Sequence, residues 1–125
     1  MLANYFTMCE RTIAQIELTE TIMTTEYTLF QFCRYSLSAN ILSEGKRVRL
    51  SFTQNGIEIY PTQETLVVLN KGAANPLAEG CGEQTRFTIE NPSPNRERLK
   101  VYIPFSCGKR NAELFLEIGI RFWEK

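Results

Sequence analysis

The sequence predicts an all-β chain, an antiparallel β-sandwich of about eight strands, and three observations predict it. Apolar and polar residues alternate with period two in several segments, which places successive side chains on opposite faces of a sheet. Turn-forming residues recur at the ~8–12-residue spacing of sandwiches and barrels. No segment shows an apolar stripe with helical spacing.

Taken in order, residues 12–23 set Ala14, Ile16, Leu18 and Ile22 against Gln15, Glu17, Thr19 and Thr21, and the threonines favour a strand. A short helix through Ile13 and Ile16 is the alternative there. Residues 27–37 alternate with apolar groups on both faces, as in a central strand or one bulged near Gln31. Val48, Leu50 and Phe52 lead to Asn55-Gly56 and then to Ile57–Tyr60, a hairpin with a two-residue turn that pairs Phe52 with Ile59. Leu66–Leu69 reads as a short apolar strand, and 71–84 as one long glycine- and alanine-rich loop. Phe87 and Ile89 mark a strand that ends at the stiff turn Asn91-Pro-Ser-Pro-Asn95. Leu99, Val101, Ile103 and Phe105 face inward on the next strand. After a turn over 106–111, Leu114, Leu116, Ile118, Ile120 and Phe122 do so on the last.

The stretch F-T-I-E-N-P-S-P-N-R-E-R-L-K-V resembles the strand-turn-strand of many Ig-like domains over some fifteen residues, without identifying a family. A jelly-roll or Ig-like topology is the expectation, with a closed β-barrel as the alternative. The 125 residues make one domain, with 1–11 a candidate flexible arm.

Formal net charge is zero, but the first quarter is acidic (Glu10, Glu17, Glu20 and Glu26 against Arg11) and the last quarter basic. Solvated faces account for this, and so does head-to-tail complementarity within or between chains. The N-terminus lacks a signal-peptide pattern and no apolar run approaches ~20 residues, so the chain reads as soluble and cytoplasmic, with no membrane partner.

Histidine is absent, and all fourteen acidic residues are glutamate. Imidazole-based triads and dyads, histidine zinc sites and EF-hand loops therefore cannot be built. Cys9, Cys33, Cys81 and Cys107 form no C-x-x-C and read as free thiols, with a Cys81–Cys107 pair the alternative. No metal or cofactor is implied. Two catalytic options are left: a glutamate pair acting on a glycoside, and redox or nucleophilic use of the loop thiols Cys81 and Cys107, the latter followed by Lys109 and Arg110.

Two outward strand faces combine basic and aromatic residues: Arg47, Arg49 and Tyr60, and Arg98, Lys100 and Tyr102. Phe115, Arg121 and Trp123 mark a third surface on the last strand, suited to a protein contact, to a sugar, or to cover by the N-terminal segment. Zero net charge and the lack of an RNA-binding signature argue against nucleic acid. The expected function is non-catalytic protein binding with self-association. Carbohydrate binding is the alternative, and a small glutamate-dependent glycoside-active enzyme comes after it.

Overall fold

The computed structural model describes residues 2–93, 96–107 and 110–120. Its largest departure from the sequence reading comes first in the chain. One α-helix, α1 (Leu2–Arg34), occupies all of 12–23 and most of 27–37, the two segments read as strands, and takes in most of the stretch 1–11 read as a candidate arm. At 1.5 Å per residue its 33 residues are about 50 Å long.

The threonines that argued for a strand are accommodated by bonding back along the helix. The hydroxyls of Thr19, Thr21 and Thr25 donate to the carbonyls of Gln15 (2.8 Å), Glu17 (2.9 Å) and Thr21 (2.7 Å). For Thr25, which is buried, that bond also satisfies a hydroxyl removed from water.

The apolar pattern hid the helix for a separate reason. Leu18, Ile22, Thr25, Leu29, Phe32 and Cys33 lie on the side turned to the core, while Ile16, Met23, Tyr27 and Phe30 lie on the opposite side. Two apolar stripes half a turn apart cancel each other's directional signal. Read two residues at a time, they mimic a strand apolar on both faces.

Five strands follow as a simple meander: β1 (Ser38–Leu42), β2 (Arg47–Ser51), β3 (Gly56–Thr62), β4 (Thr65–Asn70) and β5 (Ala73–Glu79). The β2–β3 hairpin exists, but its register differs from the expected one by four residues. Val48, not Phe52, faces Ile59, and Phe52–Asn55 form the loop, closed by the Phe52 amide donating to the Asn55 carbonyl (2.7 Å). An even shift leaves every side chain on its expected face, so alternation alone could not fix the register. Gly56 is used for close approach rather than for a turn, since a Cβ there would sit 3.0 Å from the Leu50 carbonyl oxygen.

The tight turns lie elsewhere. Gln63 (φ 48°) begins the β3–β4 turn, and Lys71-Gly72 (φ 53° and 81°) has the two positive φ values of a type I′ turn between β4 and β5. Half of the long loop read over 71–84 is thus the strand β5.

A second meander joins β6 (Arg86–Ser93), β7 (Arg96–Cys107) and β8 (Arg110–Gly119). The proline-bearing turn does not end the ladder at Asn91: after an irregularity beyond Glu90, pairing resumes at Ser93–Arg96. The β7–β8 ladder runs from Arg98–Gly119 to Cys107–Arg110, so the expected 106–111 turn is shorter than read.

One apolar cluster unites the parts. It holds Leu29 and Cys33 of α1, Val48, Leu50, Ile57, Ile59 and Leu66 of the first sheet, and Phe87, Leu99, Val101, Ile103, Phe105 and Ile118 of the second. Inward-facing positions read from alternation at 48–50, 57–59, 99–105 and 114–120 are therefore correct, although Phe52 and Leu116 are only partly buried. Backbone hydrogen bonds join the sheets at one corner, where the Ser106 amide donates to the Gly80 carbonyl (2.8 Å) and the Gly82 amide to the Pro104 carbonyl (3.0 Å), and β6 also approaches β1 and β2. Among the described residues there is no barrel closure: β1 and β5 bound one sheet, β6 and β8 the other.

Candidate interaction surfaces

The outward face of the second sheet brings together four of the residues singled out from sequence. In register, Tyr102 lies opposite Phe115 and Lys100 opposite Glu117. The Tyr102 and Phe115 rings sit 4.9 Å apart at 40°, a tilted aromatic pair. Lys100 Nζ lies 2.8 Å from Glu90 and 3.3 Å from Glu117, and hydrogen bonding to both carboxylates raises its pKa. Arg98 reaches Glu117 at 4.0 Å. Tyr102 donates to Glu113 at 3.3 Å; local desolvation first and the Glu113 charge second raise its hydroxyl pKa.

A shallow recess of about 440 Å³, lined by Arg86, Lys100, Tyr102 and Phe115 among others, opens on this face. Phe115 remains 69% exposed, because the N-terminal segment does not cover it: α1 packs on β7, β8 and β5 from the core side. Arg110 of β8 donates to Gln15 of α1 at 2.9 Å, a bond to a neutral amide that ties the last quarter of the chain to the first within one subunit. Arg121 and Trp123 lie outside the described residues.

On the outward face of the first sheet, the Arg47 guanidinium stacks 4.0 Å over the Tyr60 ring and bonds Glu58 at 3.2 Å. Arg49 stands directly opposite Glu58 in register and is exposed. Half-buried Val67 and Leu69, opposite Tyr60 and Glu58, extend the surface with apolar groups, and Leu42 adds an exposed one.

The third surface escaped the sequence reading. Ile16, Met23, Tyr27 and Phe30 are 51%, 64%, 66% and 49% exposed along the outer side of α1. Their spacing of seven, four and three residues puts them on one stripe. Glu20 lies on that stripe, with Glu17 and Glu26 on its two flanks, and no lysine or arginine occurs between residues 12 and 33.

Neither Cys33 nor Cys81 is an accessible nucleophile. Cys33 and Cys81 are free and fully buried, and burial pushes both thiols up to about 12. Cys81, read as a loop thiol, instead forms a β-bridge with Phe105. Among the described residues no three cysteine or glutamate side chains converge to hold a metal ion, and no helix is long and apolar enough to cross a membrane. No protein-family model matches this chain, and neither the curated proteins nor the solved structures include one similar to it.

Proposed function

We propose that this chain is a non-catalytic, cytoplasmic protein-binding module that assembles with copies of itself through the outer stripe of α1. The exposed run Ile16–Met23–Tyr27–Phe30 carries the reading. It presents on the order of a few hundred Å² of contiguous apolar surface, the size that marks interaction sites on soluble domains. The stripe does not serve the chain's own core, because the opposite side of the same helix does that. Buried thiols and the lack of histidine and aspartate support a non-catalytic role. We read the two sheets as layers of one sandwich flanked by α1, supported by the single core cluster they share.

Sedimentation velocity over a concentration series tests this, on the parent chain and on Met23→Glu/Tyr27→Glu. The parent's mean mass should rise with concentration, while the variant stays monomeric with unchanged circular dichroism. A parent that is monomeric up to about 1 mM, a very weak affinity limit, refutes self-association.

The Tyr102–Phe115 pair beside its recess favours a second reading, a carbohydrate platform in which an exposed ring stacks on a sugar. A glycan array with the parent and Phe115→Ala decides it: binding that disappears in the variant supports the platform, and an empty array removes it.

A further inference from the structure

Self-association, if it occurs as proposed above, has two geometries open to it, and charge separates them. A two-fold pairing of α1 with its copy would bring the glutamates of both helices together, since Glu17, Glu20 and Glu26 border the stripe and its nearest cation in sequence, Arg34, lies one turn beyond Phe30 at the helix end. Like charges along such a seam oppose it. The chain carries a different surface that fits the stripe. The outward face of the first sheet carries Arg47, paired with Glu58, and exposed Arg49, beside exposed Leu42 and half-buried Tyr60, Val67 and Leu69.

The dimensions match as well. From Ile16 to Phe30 the stripe covers about 21 Å of helix at 1.5 Å per residue. Five strands spaced at about 4.8 Å make a face about 19 Å across. Arg47 is held by its stacking on Tyr60 and its ion pair with Glu58, while exposed Arg49 makes no ion pair among the described residues and is the cation open to an incoming carboxylate.

We propose that the acidic, apolar outer stripe of α1 docks on the outward face of the first sheet in a second copy of the chain. This contact joins two different patches, so it is heterologous. Each copy still offers one free stripe and one free sheet face after pairing, and assembly continues head to tail into a ring or a filament rather than stopping at a two-fold dimer. The inference rests on the self-association reading, and its test separates the two.

The experiment compares the parent chain with Glu20→Lys/Glu26→Lys, with Arg49→Glu, and with an equimolar mixture of these two variants, by sedimentation velocity. Circular dichroism confirms that each is folded; all three positions are exposed. Each variant alone sets like charges against each other across the contact and should raise the concentration for half-association about tenfold or more. The mixture restores opposite charge at every contact and should recover the parent's assembly. A parent that associates while Arg49→Glu associates equally well overturns the head-to-tail contact and leaves self-association standing. A parent that never associates overturns both. Variants that weaken assembly singly but show no recovery on mixing overturn the assigned pairing of the two faces.

Discussion

Replacing Leu29 by alanine should destabilise the fold by about 2–5 kcal/mol, whereas replacing Tyr27, two residues away, should change stability by no more than about 0.5 kcal/mol. Leu29 is 0% exposed and belongs to the core cluster, while Tyr27 is 66% exposed on the outer stripe of α1. Truncating the leucine removes three carbons at about 0.8 kcal/mol each, and the void left behind adds about 24 cal/mol per Å³ that neighbours fail to refill. The tyrosine, two-thirds exposed, gives up far less buried surface. Urea unfolding at dilute protein, where assembly does not contribute, reads both. With slopes of about 1–3 kcal/mol/M, the Leu29→Ala midpoint should fall by about 1 M or more and the Tyr27→Ala midpoint should stay near the parent's. The pair discriminates sharply because a strand puts residues 27 and 29 on one face and a helix puts them on nearly opposite ones. Equal shifts for the two variants would refute the helix and every statement about its two stripes.

Cys33 and Cys81 should resist alkylation in the native chain and react once it is unfolded, as mass spectrometry of iodoacetamide-treated protein will show; rapid native labelling of either contradicts their burial. Their thiols titrate at about 12 when folded, against about 8.5 in an open chain, so folding favours the protonated form: this contribution is complete below pH ~8.5 and is lost as pH rises toward 12, and melting temperatures should fall across that window. Gly80→Ala should be far more damaging than Gly72→Ala, although both glycines have positive φ (78° and 81°). A Cβ at Gly80 meets the Ser106 carbonyl oxygen at 2.5 Å, at the corner joining the two sheets, while one at Gly72 meets nothing within 4 Å and incurs only about 1 kcal/mol of left-handed strain. Equal losses in thermal melts would mean that the corner yields.

Strand faces were legible from the sequence because alternation is a local signal. Leu99, Val101, Ile103 and Phe105 turn inward, and Arg98, Lys100 and Tyr102 turn outward beside Phe115, as the pattern implied. Pairing partners were less legible, since shifting a hairpin by an even number of residues preserves the pattern. The β2–β3 register depends on the close approach of Gly56 to Leu50, which no turn rule contains. Strand β5 was missed because Ala73, Ala74, Asn75 and Pro76 are exposed at the sheet's edge and carry no apolar alternation. Its signal was Lys71-Gly72, a less characteristic turn pair than the Asn-Gly that drew the eye instead.

The helix failed to show for a reason that bears on function. An ordinary surface helix has one apolar face, and its asymmetry gives it away. Leu18, Ile22, Leu29 and Cys33 supply such a face, but Ile16, Met23, Tyr27 and Phe30 stand opposite, so the asymmetry vanishes. Threonines bonded back to the carbonyl four residues earlier then tilt the local preference toward a strand. For stability alone the second stripe is surplus: the core is closed without it, and exposed leucine-sized groups favour aggregation over folding. Glutamates at 17, 20 and 26 border it along its length, with Arg34 only at the helix end, which disfavours pairing with its own copy and favours a partner surface bearing arginine. The same feature that removes the helical signature from the sequence, apolar residues on two opposite sides, is what a helix needs if one side is to hold a domain together and the other is to join it to something else.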